Sequence, residues 1–91
     1  MKYVVVAIRD DKTGFFSPQC EPNEASAVRN FEHAVTSRPD SLFFTHPADY
    51  SLFRVGAFDS ETGVIESCLP EPIVTAAQVL SLPGGGDSSA R

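Results

Sequence analysis

Cysteine is scarce in this sequence, and the residues suited to binding a metal are scattered. The chain has two cysteines, two histidines and no tryptophan among its 91 residues. Cys20 and Cys68 lie far apart and show none of the close Cys-x₂₋₄-Cys spacings that mark zinc sites or redox motifs. His33 and His46 add no paired spacing to that set. We therefore expect two free thiols, no metal and no cofactor.

Long apolar runs are also absent. No stretch approaches the ~20 consecutive apolar residues that a membrane-spanning helix needs. The first ten residues, MKYVVVAIRD, reach charged side chains after a short β-branched run and contain no small-residue cleavage site. This pattern is typical of a β-strand rather than of a signal peptide. The sequence therefore predicts a cytoplasmic protein.

Positive charge is in short supply. Lys and Arg total 7 against 12 Asp and Glu, which gives a formal net charge of −5. Contacts of Lys and Arg with phosphates supply most of the sequence-independent affinity for nucleic acid. The charge balance argues against a protein that coats or condenses nucleic acid, although it leaves room for a local basic patch.

Motifs for catalysis are missing as well. The consecutive glycines Gly84–Gly86 do not precede a helix, so no phosphate-binding loop is predicted. His46 lies before Pro47 in a turn, where a local hydrogen bond is the usual role. Four carboxylates cluster at turns, where capping of backbone N–H groups accounts for them: Asp10, Asp11, Asp59 and Glu61. With no nucleophile elbow either, we expect no catalytic residue and no enzymatic activity.

Two similar turns are the clearest local signals in the chain. Residues Asp10–Gly14 read DDKTG and residues Asp59–Gly63 read DSETG, so each turn opens on Asp and closes on Gly. The Asp carboxylate can accept N–H groups of the turn, and glycine tolerates a positive φ. We predict two β-hairpins with type I turns, in which Gly14, Asp59 and Gly63 have structural roles.

The remaining segments predict strands and one long helix. β-Branched and apolar runs predict strands at residues 2–10, from Phe15 onward, at 50–58 and at 64–68, with Pro18 weakening the second strand. Asn23 is a good N-cap for a helix over about 24–36. The apolar stripe of that helix has the expected spacing: Ala27, Val28, Phe31, Ala34 and Val35.

The order of these elements predicts an α+β fold over residues 1–82. It consists of a four-stranded, mainly antiparallel sheet made of two hairpins, with the amphipathic helix on one face. Pro70 and Pro72 are expected to end the fourth strand. A short C-terminal helix starting at Pro72, or an extended segment, follows. Residues 83–91 are rich in Gly and Ser and are expected to form a disordered tail.

The sheet face away from the helix is the predicted interaction surface. Alternation along the first strand places four residues there: Tyr3, Val5, Ala7 and Arg9. The alternate set on the third strand is expected to join them: Leu52, Arg54, Gly56 and Phe58. A second copy of the chain, single-stranded DNA stacked on the aromatic rings, and the C-terminal helix are three possible occupants. The acidic net charge favours self-association over DNA.

The candidate residues for binding a partner or nucleic acid follow from this surface and from the helix. They are Tyr3, Arg9, Arg29, Arg54 and Phe58. Arg29 lies mid-helix within reach of Glu32 and of the sheet edge, and a structural ion pair is favoured over a contact with DNA or a partner.

Three segments together resemble a known family. They are Ala27-Val28-Arg29-Asn30-Phe31, then His46–Phe53 (HPADYSLF), then Val55–Gly63 (VGAFDSETG). Their order and spacing are similar to those in the small non-structural protein of gokushoviruses, the single-stranded DNA phages of the microvirus group. The resemblance extends over roughly residues 2–68.

The resemblance implies a phage protein that is not part of the virion and that works in the host cytoplasm. It implies an accessory role in single-stranded DNA replication or in the switch to packaging. Together with the acidic charge and the apolar sheet face, it leads us to expect that the protein acts through contacts with phage or host proteins and with itself. Single-stranded DNA binding is the alternative. No catalytic residue comes with the resemblance. The shared positions Gly56, Phe58, Phe31 and Pro47 have the character of structural residues, and Pro47 is expected to make a rigid turn.

Overall fold

The computed structural model describes residues 1–81, whose strands and helices follow the predicted order. The strands are β1 (Lys2–Asp10), β2 (Gly14–Phe15), β3 (Gln19–Glu21), β4 (Tyr50–Asp59) and β5 (Ile65–Thr75). The helices are α1 (Glu24–Thr36), α2 (Leu42–Thr45) and α3 (Ala76–Ser81), with a 3₁₀ turn at Pro47–Asp49. The predicted α+β class is confirmed. The tail predicted at residues 83–91 lies outside the described residues.

All five strands belong to one antiparallel sheet. Its order is β2–β1–β4–β5, and β3 also pairs with β1. The predicted second strand is thus divided into β2 and β3, which are separated by Phe16, Ser17 and Pro18. Proline has no N–H to donate to a neighbouring strand, so a break at this position in an edge strand is expected. The two predicted hairpins are both present.

Helix α1 begins and ends where the sequence predicts. The side chain of Asn23 accepts the backbone N–H of Ser26 at 2.8 Å, which satisfies one of the unpaired donors of the first turn. The helix buries Ala27, Phe31 and Val35. Burial of an apolar side chain as large as Phe31 stabilises the fold by about 1.5–3 kcal/mol. Packing against the sheet therefore holds a helix that is marginal in isolation.

The core lies between the helices and one face of the sheet. Its buried cluster comes from strands β1 and β4 and helices α1 and α3: Val6, Ala27, Phe31, Val35, Tyr50, Leu52, Ala76 and Val79. Helix α3 therefore packs on the same side of the sheet as α1. The interpretation in which the C-terminal helix covers the opposite face is wrong.

The C-terminal part of the sheet extends further than predicted. β5 continues through Pro70 and Pro72 to Thr75, whereas the sequence predicted its end near Cys68 and a helix from Pro72. β5 is the outer strand next to β4. In an outer strand, a residue without an N–H group can be accommodated on the side that faces no neighbour.

A capping box at Thr75 fixes where α3 begins. The Thr75 hydroxyl accepts the backbone N–H of Gln78 at 2.9 Å, and the Gln78 side chain accepts the backbone N–H of Thr75 at 2.9 Å. This reciprocal pair is the usual start signal of a helix, in the pattern Ser/Thr-x-x-Glu/Gln. It places the first helical residue at Ala76 rather than at Pro72.

The two DxxTG turns have the predicted geometry. Gly14 and Gly63 have φ angles of 104° and 78°, where residues with a Cβ are strained. The carboxylate of Asp59 accepts the backbone N–H groups of Glu61 at 2.9 Å and Thr62 at 3.4 Å. These bonds, chiefly the one from Glu61, lower the pKa of Asp59 below its usual value of 3.8. The structural roles of Gly14, Asp59 and Gly63 follow from these contacts.

Glycine is needed at position 56 for a different reason: there is no space for a Cβ. Gly56 is buried in β4, and a Cβ built on it would collide with the backbone carbonyl of Glu66 on β5. Between Arg54 and Gly56, the pairing of β4 shifts by a residue or more against both of its neighbouring strands, β1 and β5. Gly56 therefore lets two strands approach closely where the pairing is irregular.

The replacement Gly56→Asn should lower the free energy of unfolding by about 1–3 kcal/mol more than Gly63→Asn does. The first change forces a side chain against backbone atoms. The second places the same side chain where nothing lies within 4 Å of the new Cβ, and Asn tolerates positive φ. Urea denaturation followed by circular dichroism measures both losses. Equal losses would contradict the close approach at Gly56.

Replacing Asp59 by Asn should make the melting temperature less dependent on pH under acidic conditions. The pKa of Asp59 is lower in the folded protein than in the unfolded chain. Its ionised carboxylate therefore stabilises the fold above the unfolded-state pKa, and this stabilisation is lost as pH falls through the folded-state pKa. Between about pH 5 and about pH 2, the melting temperature of the native protein should fall more than that of Asp59→Asn. Ser60→Ala, which keeps the carboxylate, should retain the native profile. Parallel profiles for native protein and Asp59→Asn would refute the assignment.

Candidate interaction surface

The open face of the sheet is the face away from α1 and α3. Residues paired across antiparallel strands share a face, so the register identifies its members. On β1 they are Tyr3, Val5, Ala7 and Arg9, as the sequence predicts. Their partners on the neighbouring strands complete the surface: Phe58, Gly56, Phe53 and Ser51 on β4, Cys20 on β3 and Phe15 on β2.

One end of the open face carries an aromatic pair. The rings of Tyr3 and Phe58 lie 6.4 Å apart between centroids, tilted by 38°. Ile65 of β5 pairs with Phe58 and is 70% exposed. Two of the predicted site residues, Tyr3 and Phe58, are therefore brought together beside an exposed aliphatic side chain.

The other end of the open face carries a second aromatic pair with a cation. Phe15 and Phe53 meet edge to face, with centroids 5.4 Å apart and an interplanar angle of 78°. The guanidinium carbon of Arg9 lies 5.9 Å from the centroid of Phe15. Arg9 also forms an ion pair with Asp11 at 2.6 Å. Arg9 thus lies on the predicted surface, with its charge matched by a neighbouring carboxylate.

Small residues between the two pairs are buried although no helix within residues 1–81 covers this face. Val5 and Ala7 are 8% and 4% exposed. Their burial comes from neighbours within the sheet, including Phe53 opposite Ala7. The result is a strip of buried apolar residues on β1, Val5 and Ala7, between the two aromatic pairs.

The register of β4 corrects part of the predicted surface. β1 pairs Val5 with Gly56 but Val6 with Arg54, so one residue of β4, Val55, is bulged out between them. An extra residue reverses the alternation of side chains beyond it. Leu52 therefore lies in the core and is 3% exposed. Phe53 takes its place on the open face, next to Phe15.

Arg54 does not lie on the open face with Arg9. It is the cross-strand partner of Val6, which belongs to the helix-side core. Its guanidinium donates to Glu71 at 3.1 Å and to the sulfur of Cys68 at 3.7 Å, both on β5. The same shift that buries Leu52 moves Arg54 away from the predicted group.

Arg29 is separate from the open face as well. It lies exposed on α1, which covers the opposite side of the sheet. Within residues 1–81, no carboxylate forms a salt bridge with it. The ion pair with Glu32 predicted from the sequence is therefore not formed.

Most cationic side chains are already paired. Four of the six Lys and Arg residues within residues 1–81 form salt bridges: Lys2–Glu66, Arg9–Asp11, Arg38–Asp40 and Arg54–Glu71. Exposed pairs of this kind are individually weak. They nevertheless place an acidic group beside each cation, so the open face has no cluster of unopposed positive charge in this part of the chain.

A second aromatic group lies on the helix side of the sheet. Tyr50 packs edge to face against Phe43 at 4.8 Å, and Phe16 lies 6.3 Å from Tyr50. Burial raises the pKa of Tyr50, and the negative charge of Asp10 opposite it on β1 adds to the effect. Pro47 begins the 3₁₀ turn that leads into Tyr50, which agrees with the rigid turn predicted there.

The residues suited to metal binding remain dispersed. Among residues 1–81, no three His, Cys, Asp or Glu side chains lie close enough together to hold a metal ion. Cys20 and Cys68 are free thiols on different strands. His46 makes a local contact, with its Nδ1 2.9 Å from the hydroxyl of Thr45. In the same part of the chain, no helix has both the length and the apolar character required to span a bilayer.

Sequence reasoning missed Phe15 and Phe53 as members of the surface. One signal was available, because a glycine inside a strand pattern is typical of a bulge. Gly56 is such a residue. Placing a bulge beside it would have reversed the alternation over residues 50–54 and selected Phe53 instead of Leu52 and Arg54.

Comparison with known proteins identifies the family. The sequence model of the family described as Phage ORF5 protein matches residues 3–79. The match includes β1 through most of α3, and thus both the core and the open face. No curated protein and no solved structure matches the chain. The chain therefore belongs to the Phage ORF5 protein family.

Proposed function

We propose that this phage protein is a non-structural accessory protein that works by protein–protein contact through its open face. The contacts would be with phage or host proteins of single-stranded DNA replication or of the switch to packaging, in the host cytoplasm. Association of the protein with itself is part of the proposal. It assigns the chain no catalytic role.

The main support is the apolar character of the open face. Exposed apolar side chains stand at both ends, with Phe15 44% and Ile65 70% exposed. Contiguous apolar surface on a small protein commonly marks a site of association. Aromatic residues at such sites supply much of the binding energy. A partner or a second copy that covers this face would remove the exposed side chains of Phe15 and Ile65 from water.

The proposed stage of infection rests on the sequence. Family membership supports a phage protein, and the segments around Arg29, Pro47 and Asp59 resemble the gokushovirus non-structural protein. Replication and packaging are the processes that this resemblance suggests.

Single-stranded DNA binding is the second candidate, and one observation favours it. Phe15 is exposed, with the guanidinium of Arg9 above its ring. Aromatic rings and arginines on an open sheet suit base stacking and phosphate contact. The pairing of Arg9 with Asp11 and the net charge of −5 weigh against strong binding.

Removing two exposed apolar groups from the open face should reduce self-association. The variant Phe15→Ser/Ile65→Ser should give a lower weight-average mass than the native protein at equal concentration, because it removes exposed groups from both ends of the strip. Size-exclusion chromatography with light scattering measures the masses. The control is Leu42→Ser, which changes an equally exposed residue on the helix side. A native protein that stays monomeric across the concentration range would refute self-association.

Partner contact and DNA binding can be separated with the same variants. Native protein recovered from infected cells should carry replication or capsid components, and Phe15→Ser/Ile65→Ser should lose them. Fluorescence anisotropy with a labelled single-stranded oligonucleotide tests the alternative. Binding that weakens with salt and drops in Arg9→Gln would favour the DNA-binding candidate. Absence of binding at low salt would eliminate it.

A further inference from the structure

A cleft on the helix side of the sheet is a second candidate site. It lies between α1, β1 and the interrupted edge formed by β2 and β3, and its volume is about 380 Å³. That volume lies within the range of about 300–1,000 Å³ typical of ligand pockets. None of the exposed aromatic or aliphatic side chains of the open face lines it.

The cleft exists because two local features leave space beside the core. The break at residues 16–18 separates β2 from β3, so the sheet edge beside β1 is discontinuous. On α1, Ala27 and Ala34 are two turns apart on one helix face, where larger side chains would fill the gap. The helix and the edge strand therefore stand apart.

The floor and the mouth of the cleft differ chemically. The floor is apolar: Val6, Ile8, Phe31 and Leu52. At the mouth, the side-chain amide of Asn30 donates to both carboxylate oxygens of Glu21, at 3.1 and 3.0 Å. A carboxylate can accept about four hydrogen bonds, so Glu21 retains acceptor capacity for another donor. Among the described residues 1–81, no Lys or Arg lines the cleft.

A smaller hollow adjoins the cleft. It has a volume of about 190 Å³ and is lined by Phe16, Ser41, Leu42, Phe43 and Tyr50. Phe16 lines both spaces. Its ring, 41% exposed, therefore separates two apolar depressions along one side of the molecule.

We propose that this cleft binds a basic segment of a partner protein by taking up one of its apolar side chains. The apolar side chain enters between α1 and β1, and the neighbouring cationic group meets the carboxylate of Glu21. Charge complementarity argues for a basic occupant, because residues 1–81 place a carboxylate and no cation at the mouth and the protein has a net charge of −5. The site is distinct from the open face of the proposed function.

Three capped peptides test the charge preference. They are acetyl-Lys-Phe-Lys-amide and the same peptide with Ser or Glu in place of both lysines. Titration into ¹⁵N-labelled full-length protein, followed by two-dimensional NMR, should shift amide signals of Val6, Ile8 and Phe31. The lysine peptide should bind about fivefold or more tightly than the serine peptide, and the glutamate peptide most weakly.

Two pairs of variants test the location. Ala34→Leu fills the cleft and should abolish the saturable shifts, whereas Ala25→Leu makes the same change at an exposed position of α1 outside the cleft and should leave them. Glu21→Gln should reduce the preference for lysine over serine to near unity, and Glu32→Gln should not. If Ala34→Leu fails to fold, the comparison of Glu21→Gln with Glu32→Gln still tests whether the peptide binds at the cleft.

Several outcomes would overturn the proposal. They are the absence of saturable shifts up to about 10 mM peptide, equal affinity for the three peptides, and shifts confined to the open face. Peptide-induced dimerisation detected by light scattering, with shifts only at the open face, would assign the peptide to that surface instead. Retention of binding in Phe15→Ser/Ile65→Ser would show that the cleft acts independently of the open face.

Discussion

The structure depends on the close approach of β4 and β5 at Gly56. A glycine lets the carbonyl of Glu66 lie where any other residue would place its Cβ. Beside this contact, β4 contains one residue more than β1, and the alternation of its side chains reverses. That reversal sends Leu52 to the core and Phe53 to the open face. Both the packing of the helices and the composition of the exposed surface follow from it.

The two sides of the sheet are built for different contacts. On one side, α1 and α3 close over the core and leave a cleft with a carboxylate at its mouth. On the other, aromatic pairs at Tyr3 and Phe15 flank a strip of small buried residues. A protein of this size can thus present an apolar sheet surface and, on the other side of the same sheet, a separate hollow with a carboxylate at its rim.

Local sequence signals predicted most of the fold. The Asn23 cap, the apolar stripe of α1 and the glycines of the two DxxTG turns act over a few residues, so the sequence alone reveals them. The surface was predicted less well, because it depends on the register between distant strands. One bulge moved Arg54 from the predicted group to a contact with Glu71. The end of β5 depended on its position at the sheet edge, where Pro70 and Pro72 are tolerated.

Those two prolines also affect how the protein behaves at high concentration. An outer strand with a full row of free donors and acceptors can recruit the strand of another molecule and nucleate fibrous aggregates. Within β5, Pro70 and Pro72 remove two donors from the strand. Growth by adding strands at this edge is therefore disfavoured. Any contact between molecules is then left to side-chain surfaces such as the open face, where pairing of backbone groups plays no part.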